Sequence, residues 1–116
     1  MPYSLRYHPD VARVDVPGLG GTARVRVARA LQERLVVGPE QYGKPLRGTL
    51  RGLWSLRVGD YRAVYRIEGD EVHVLRIGHR RDAYEDPVVL RRKGTFQVGR
   101  LNPRRGKGEG RREPPG

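Results

Sequence analysis

The chemistry open to this chain is that of guanidinium, imidazole and phenol. Its 116 residues hold no Cys, three His, six Tyr and 24 Lys plus Arg, and only Lys44, Lys93 and Lys107 of those 24 are lysines. Without Cys there is no thiolate nucleophile, no disulfide frame and no cysteine-held zinc. His8, His73 and His79 have no partner at i,i+2 or i,i+4, and no Asp cluster has magnesium-site spacing, so no metal or cofactor is expected. Gly18, Gly20 and Gly21 do not make a dinucleotide fingerprint. What remains is a set of arginines with Tyr84 and His79. Such a set can cleave RNA without a metal: a base takes the 2′-hydroxyl proton, the 2′-oxygen attacks the adjacent phosphate, an acid protonates the leaving 5′-oxygen, and fixed cations stabilise the anionic phosphate. The same residues also describe a solvated basic sheet face with a tyrosine packed at its edge, and residue types alone leave both open.

The elements that must position these groups are legible in outline. Tyr3 to His8 alternates as a first strand. Pro9-Asp10 begins a short helix over about residues 10–16, stopped by Pro17-Gly18. Thr22 is the expected cap of a second helix whose Val27, Leu31 and Leu35 recur at four-residue steps, and Gly38-Pro39 closes it. Residues 40–49 read as a loop. Two alternating runs, Leu53 to Val58 and Tyr61 to Ile67, flank Gly59-Asp60, which has glycine at the first central position of a tight hairpin turn. Pairing Val58 with Tyr61 sets Leu56 against Ala63 and Trp54 against Tyr65. That register places Trp54, Leu56, Val58, Tyr61, Ala63, Tyr65 and Ile67 on one face, under the helices. Leu53, Ser55, Arg57, Arg62, Val64 and Arg66 take the other, with nothing in the sequence left to cover it. A third run, Val72 to Ile77, completes an antiparallel meander, although its preceding loop leaves the register of Arg76 open. The expected fold is α+β: an N-terminal strand, a two-helix hairpin and a three-strand meander, with the helices on one face of a four-stranded sheet.

Charge divides the chain near residue 91. The formal net charge is +11, which favours a polyanionic partner. Residues 91–116 carry nine basic and two acidic groups with little to bury, and are expected to be a disordered basic tail after a domain spanning 1–90. The first 90 residues keep only +4. No apolar run exceeds four residues and Met1 to Arg6 lacks the apolar stretch of a signal peptide, so a cytoplasmic protein without membrane contact is expected.

Three segments carry a family resemblance: Pro45-Leu46-Arg47-Gly48, the run from Gly52 through "LRVGDYRAVYRI" to Ile67, and Val74 to Tyr84 with "IGHRRDAY". Together they resemble the RelE toxins of the RelE/ParE toxin–antitoxin superfamily. The resemblance implies a toxin that binds the ribosomal A site and cleaves mRNA there without metal, leaving a 2′,3′-cyclic phosphate. It also implies a small acidic antitoxin that wraps the toxin, any DNA contact being made only through that complex. By motif position, Arg62 and Arg80 fall on the scissile phosphate or its transition state, and Tyr84 on the general base or a base-stacking group. His79 is the candidate leaving-group acid, and Arg57, Arg66, Arg47, Arg51 and Arg81 are candidate RNA contacts. One departure stands out. Where the best-known RelE toxin has two lysines, this chain has Leu53 and Ser55. Two other readings share the fold: a ParE-like inhibitor of DNA gyrase, and a relic that binds RNA or antitoxin without chemistry.

Overall fold

The computed structural model describes residues 2–81 and 86–100. The expected hairpin register is the one formed: Val58 pairs with Tyr61, Leu56 with Ala63 and Trp54 with Tyr65, joining β3 (Trp54–Val58) to β4 (Tyr61–Glu68). Gly59 turns the chain with φ 60°, a conformation that costs glycine nothing. β5 (Glu71–His79) pairs antiparallel with β4, and β1 (Ser4–Tyr7) lies parallel along β5. At the opposite edge β2 (Lys44–Pro45) pairs with β3, which gives the order β1-β5-β4-β3-β2. The sheet therefore has five strands rather than the expected four. Two residues carry no alternation to read, and Pro45, with no amide hydrogen to donate, is tolerated at an edge.

One face of the sheet is covered as the pattern implies. Helix α1 (Gly21–Ala30) runs on as a π-helical turn, Leu31–Leu35, and its Val27, Leu31 and Leu35 are buried against Leu56, Val58, Ala63 and Tyr65. The chain enters α1 through extended Gly20, so Thr22 lies in the first turn and is not the cap. A second π-helical turn, Val11–Asp15, stands where the short first helix is expected. Helix α2 (Pro39–Tyr42) begins with a proline at its first position, where a missing amide hydrogen is not needed. It receives the hydroxyl of buried Tyr65, which donates to the Pro39 carbonyl at 2.5 Å. Burial and then the Glu40 charge push this phenol far above its ordinary range, so it stays a donor. Gly43 packs so close that any side chain there would overlap the Tyr65 hydroxyl.

The other face is not open along its length. A second apolar cluster of Leu50, Leu53, Val64, Leu75 and Val89 lies there, under a 3-10 turn, Gly48–Leu50, and helix α3 (Asp86–Arg100). This corrects two expectations. The face has a cover, and the boundary at residue 91 falls inside a helix, with Arg92 only 4% exposed; residues 101–116 lie outside the described residues. α3 stays on the sheet because Arg92 meets a buried carboxylate. Its Nη1 donates to Asp15 Oδ2 at 2.7 Å and to the Leu75 carbonyl at 3.1 Å, while the Ile77 amide donates to the same Asp15 oxygen at 2.9 Å. One carboxylate thus ties the first helical turn, β5 and α3 together.

Two outcomes test this packing. Asp15→Ala takes the hydrogen-bonded carboxylate from buried Arg92 and leaves it Asp10, 4.0 Å from its Nε, and should cost about 3–5 kcal/mol in urea unfolding; a change inside about 0.5 kcal/mol would refute the role. The second concerns His8, whose buried ring accepts the Asp10 amide hydrogen on Nδ1 at 3.0 Å. Burial lowers its pKa, with Asp10 opposing that and Arg92 adding to it. Folding therefore favours the neutral ring. Stability should be full above about pH 6.5 and fall as pH drops through the lowered value. His8→Asn keeps an acceptor and should flatten the dependence of the unfolding midpoint between about pH 7 and 5.

Candidate functional site

The hairpin register that buries Leu56 and Ala63 also sets Arg57 directly opposite Arg62 on the other face. Arg57 is exposed and its Nε donates to the Gly59 carbonyl at 3.2 Å. Arg62 is half-buried, with Nη1 3.4 Å from the Tyr61 carbonyl. Both guanidiniums are thus anchored to backbone at the hairpin end. Like charges facing each other across strands are destabilising, and an anion between them reverses the sign. The two arginines line an open groove of about 350 Å³ with Lys44, Ser55, Arg34 and Tyr42, and among the described residues no carboxylate lines it. The arrangement can hold a phosphate and stabilise charge that develops on it.

The other expected site residues are distributed as follows. Arg80 is exposed, and its amide donates to the Asp60 carbonyl at 2.8 Å, which keeps it beside the hairpin tip. His79 is Tyr61's strand partner and its ring meets that tyrosine edge-on at 5.8 Å, in a hollow with Val14, Leu19 and Arg76 rather than in the groove. Its Nδ1 accepts the Arg81 amide hydrogen at 3.3 Å, so the ring proton sits on Nε2. Arg81 is exposed, as are Arg47 and Arg51 on the connection from β2 to β3, and none of these three lines the groove. Tyr84 lies outside the described residues.

Arg66 is a correction. It is 8% exposed, and its Nη2 lies 2.8 Å from Nδ1 of the fully buried His73, with Nη1 3.4 Å from the Lys93 carbonyl. The guanidinium can only donate, so His73 Nδ1 accepts and its Nε2 hydrogen goes to Glu71 Oε1 at 2.8 Å. Arg66 and His73 hold the second face of the sheet to α3 and do not present an RNA contact. Three groove residues were not singled out from the sequence: Lys44, Tyr42 and Arg34.

Residues 4–84 match the profile of the ParE toxin family, the toxins of type II parDE toxin–antitoxin systems. The chain belongs to the RelE/ParE toxin family. Toxin RelG of Mycobacterium tuberculosis is 38% identical over 86 residues, which is 72% of this chain and 98% of RelG. Toxin RelE of the same organism is 39% identical over 70 residues, 60% of this chain and 62% of that one. The fold is that of the toxin in the M. tuberculosis RelBE2 toxin–antitoxin complex, with a TM-score of 0.62 at 34% identity, over 69% of this chain and 100% of that one. A double mutant of Escherichia coli toxin RelE in the free state shares the fold at 24% identity, with a TM-score of 0.56 over 88% of this chain and 100% of that one. Among the described residues no helix is long and apolar enough to cross a membrane.

The facing arginines give a test that needs no RNA. Arg57→Gln removes the repulsion and should raise stability by about 0.2–1 kcal/mol at low salt. Pyrophosphate should raise the melting temperature of the parent chain by binding the folded state, and should do so much less for Arg57→Gln. Equal increments in both chains would show that the pair is not an anion site.

Proposed function

We propose that this RelE/ParE-family toxin is an endoribonuclease that cleaves ribosome-bound mRNA by attack of the 2′-oxygen on the adjacent phosphate, using fixed protein cations and no metal ion. The observation that carries the reading is the Arg57–Arg62 pair facing an open groove that no described carboxylate lines. Arg62 grips the scissile phosphate, Arg57 neutralises its second oxygen, and Arg80 is assigned to the phosphate by its motif position. Tyr84 is the general base on the strength of its motif position. Access to translating ribosomes places the activity in the cytoplasm. A small acidic antitoxin is the partner, in keeping with the likeness to the toxin of the RelBE2 complex. The ParE profile match favours one other reading, inhibition of DNA gyrase.

The deciding experiment induces the chain and maps mRNA 5′ ends on translating ribosomes, with Arg62→Ala and Tyr84→Phe alongside. New 5′ ends should appear with the parent chain. Arg62→Ala should reduce them by about 10²–10³, the scale of losing one fixed transition-state donor, and Tyr84→Phe should also reduce them. Growth arrest with intact mRNA and an induced DNA-damage response would replace this reading with the gyrase one.

A further inference from the structure

We propose that Tyr42 is a stacking platform for a nucleobase next to the phosphate that Arg57 and Arg62 hold; this rests on the ribonuclease reading above. Arginines fix a phosphate, but an RNA strand laid along the groove also brings unstacked bases that need a surface. Among the described residues the large apolar side chains left exposed are Tyr7, Val14, Val25, Val37, Tyr42 and Leu90, and of these Tyr42 alone lines the groove. It is 53% exposed, and neither apolar cluster includes it. The ring has no packing task in the core. Single exposed apolar residues are ordinary on a protein surface, so place and rigidity decide what this one does.

Place comes from the edge strand. Lys44 pairs with Ser55 and Pro45 with Trp54, and the same count carried back past the start of β2 sets Tyr42 level with Arg57. Pro45 and Leu46 line the groove with it, so an apolar wall stands beside the cations. Rigidity comes from α2. The Tyr42 amide donates to the Gly38 carbonyl at 3.0 Å, and the Gly43 amide donates to the Pro39 carbonyl at 3.3 Å. The Pro39 carbonyl also receives the buried Tyr65 hydroxyl, against which Gly43 packs. Tyr42 thus stands on backbone fastened to the core, and its ring has only two torsions to fix when a base arrives.

Other aromatic rings are engaged elsewhere. Trp54 and Tyr61 pack against the main core, Tyr65 is buried within it, and Tyr7 lines a separate apolar hollow with Val11 and Leu31. The groove's own chemistry selects the occupant. Arg34, Lys44, Arg57 and Arg62 line it without a described carboxylate, which suits a chain that carries a negative charge on every nucleotide. Every base has a π-face, so a single tyrosine accepts any of the four and positions the strand without reading its sequence.

The test is a double-mutant cycle on translating ribosomes. The parent chain, Tyr42→Phe and Tyr42→Ala each meet one mRNA with all its bases, and two versions abasic at the nucleotide on one or the other side of the cleaved phosphate. Melting curves first establish that both variants fold, as an exposed site should allow. Tyr42→Ala should lose about 5- to 150-fold in kcat/KM on the intact mRNA, the scale of one base–aromatic stack. Tyr42→Phe keeps the ring and should match the parent. Removing one of the two flanking bases should slow the parent to a similar degree and slow Tyr42→Ala no further. Losses that multiply at both positions would show that Tyr42 meets neither base and overturn the proposal. Parent-like cleavage by Tyr42→Ala, or a Tyr42→Phe as slow as Tyr42→Ala, would do the same. A parent chain that cleaves none of these mRNAs overturns the ribonuclease reading and the subsite with it, an outcome distinct from a cleaving parent whose losses multiply.

Discussion

The pairing of Val58 with Tyr61 across Gly59-Asp60 decides which side chains reach the core and which reach the groove. Because side chains alternate, a slip of β3 by one residue would send Leu56 to the groove side and Arg57 under the helices. Burial of apolar side chains, each worth about 1.5–3 kcal/mol, therefore holds the register against a like-charge repulsion of about 0.2–1 kcal/mol. The core wins by a wide margin. That margin is what lets the sheet keep two guanidiniums face to face, a local cost that only an anionic ligand relieves.

The second face has a different solution to the same problem. It buries cations rather than only displaying them, and each buried cation has its own set of acceptors. Arg92 has Asp15 and the Leu75 carbonyl; Arg66 has His73 and the Lys93 carbonyl. The Arg92–Asp15 contacts reach Leu75 and Ile77 of β5, beyond the stretch that β1 pairs, whereas His73 lies inside it opposite Arg6. α3 thus closes half of the face over Val64 and Leu75 and leaves the hairpin half open. Among the described residues none from α3 lines the groove.

Legibility followed the strength of the local code. Strict alternation around Gly59-Asp60 gave the hairpin to the residue, and the four-step spacing of Val27, Leu31 and Leu35 gave the main helix. The code failed where a polar residue occupies a core position. α3 has Val89 and Arg92 on its inward side, and an inward arginine is invisible to an apolar pattern. Arg66 was misplaced for the same reason: its strand position was right, but an acceptor in His73 cannot be seen from spacing. The register of Arg76 could not be counted across its loop because the β4–β5 ladder shifts between Val64 and Tyr65; Arg76 pairs with Val64 and Val74 with Tyr65. Of the site, Arg57 and Arg62 were legible through the hairpin. Lys44 was not, since a two-residue strand has no pattern and its neighbour Ser55 is distant in sequence.

Net charge is a poor guide to the chemistry for the same structural reason. The chain carries +11, yet cations differ in what they can do once folded. Arg66 and Arg92 are spent on packing, and Arg47, Arg51 and Arg81 stand on exposed segments outside the groove. Arg57 and Arg62 gain their effect from being opposed, which no composition reports. Arginine also brings a limit: it can hold a phosphate in two places but cannot give up a proton.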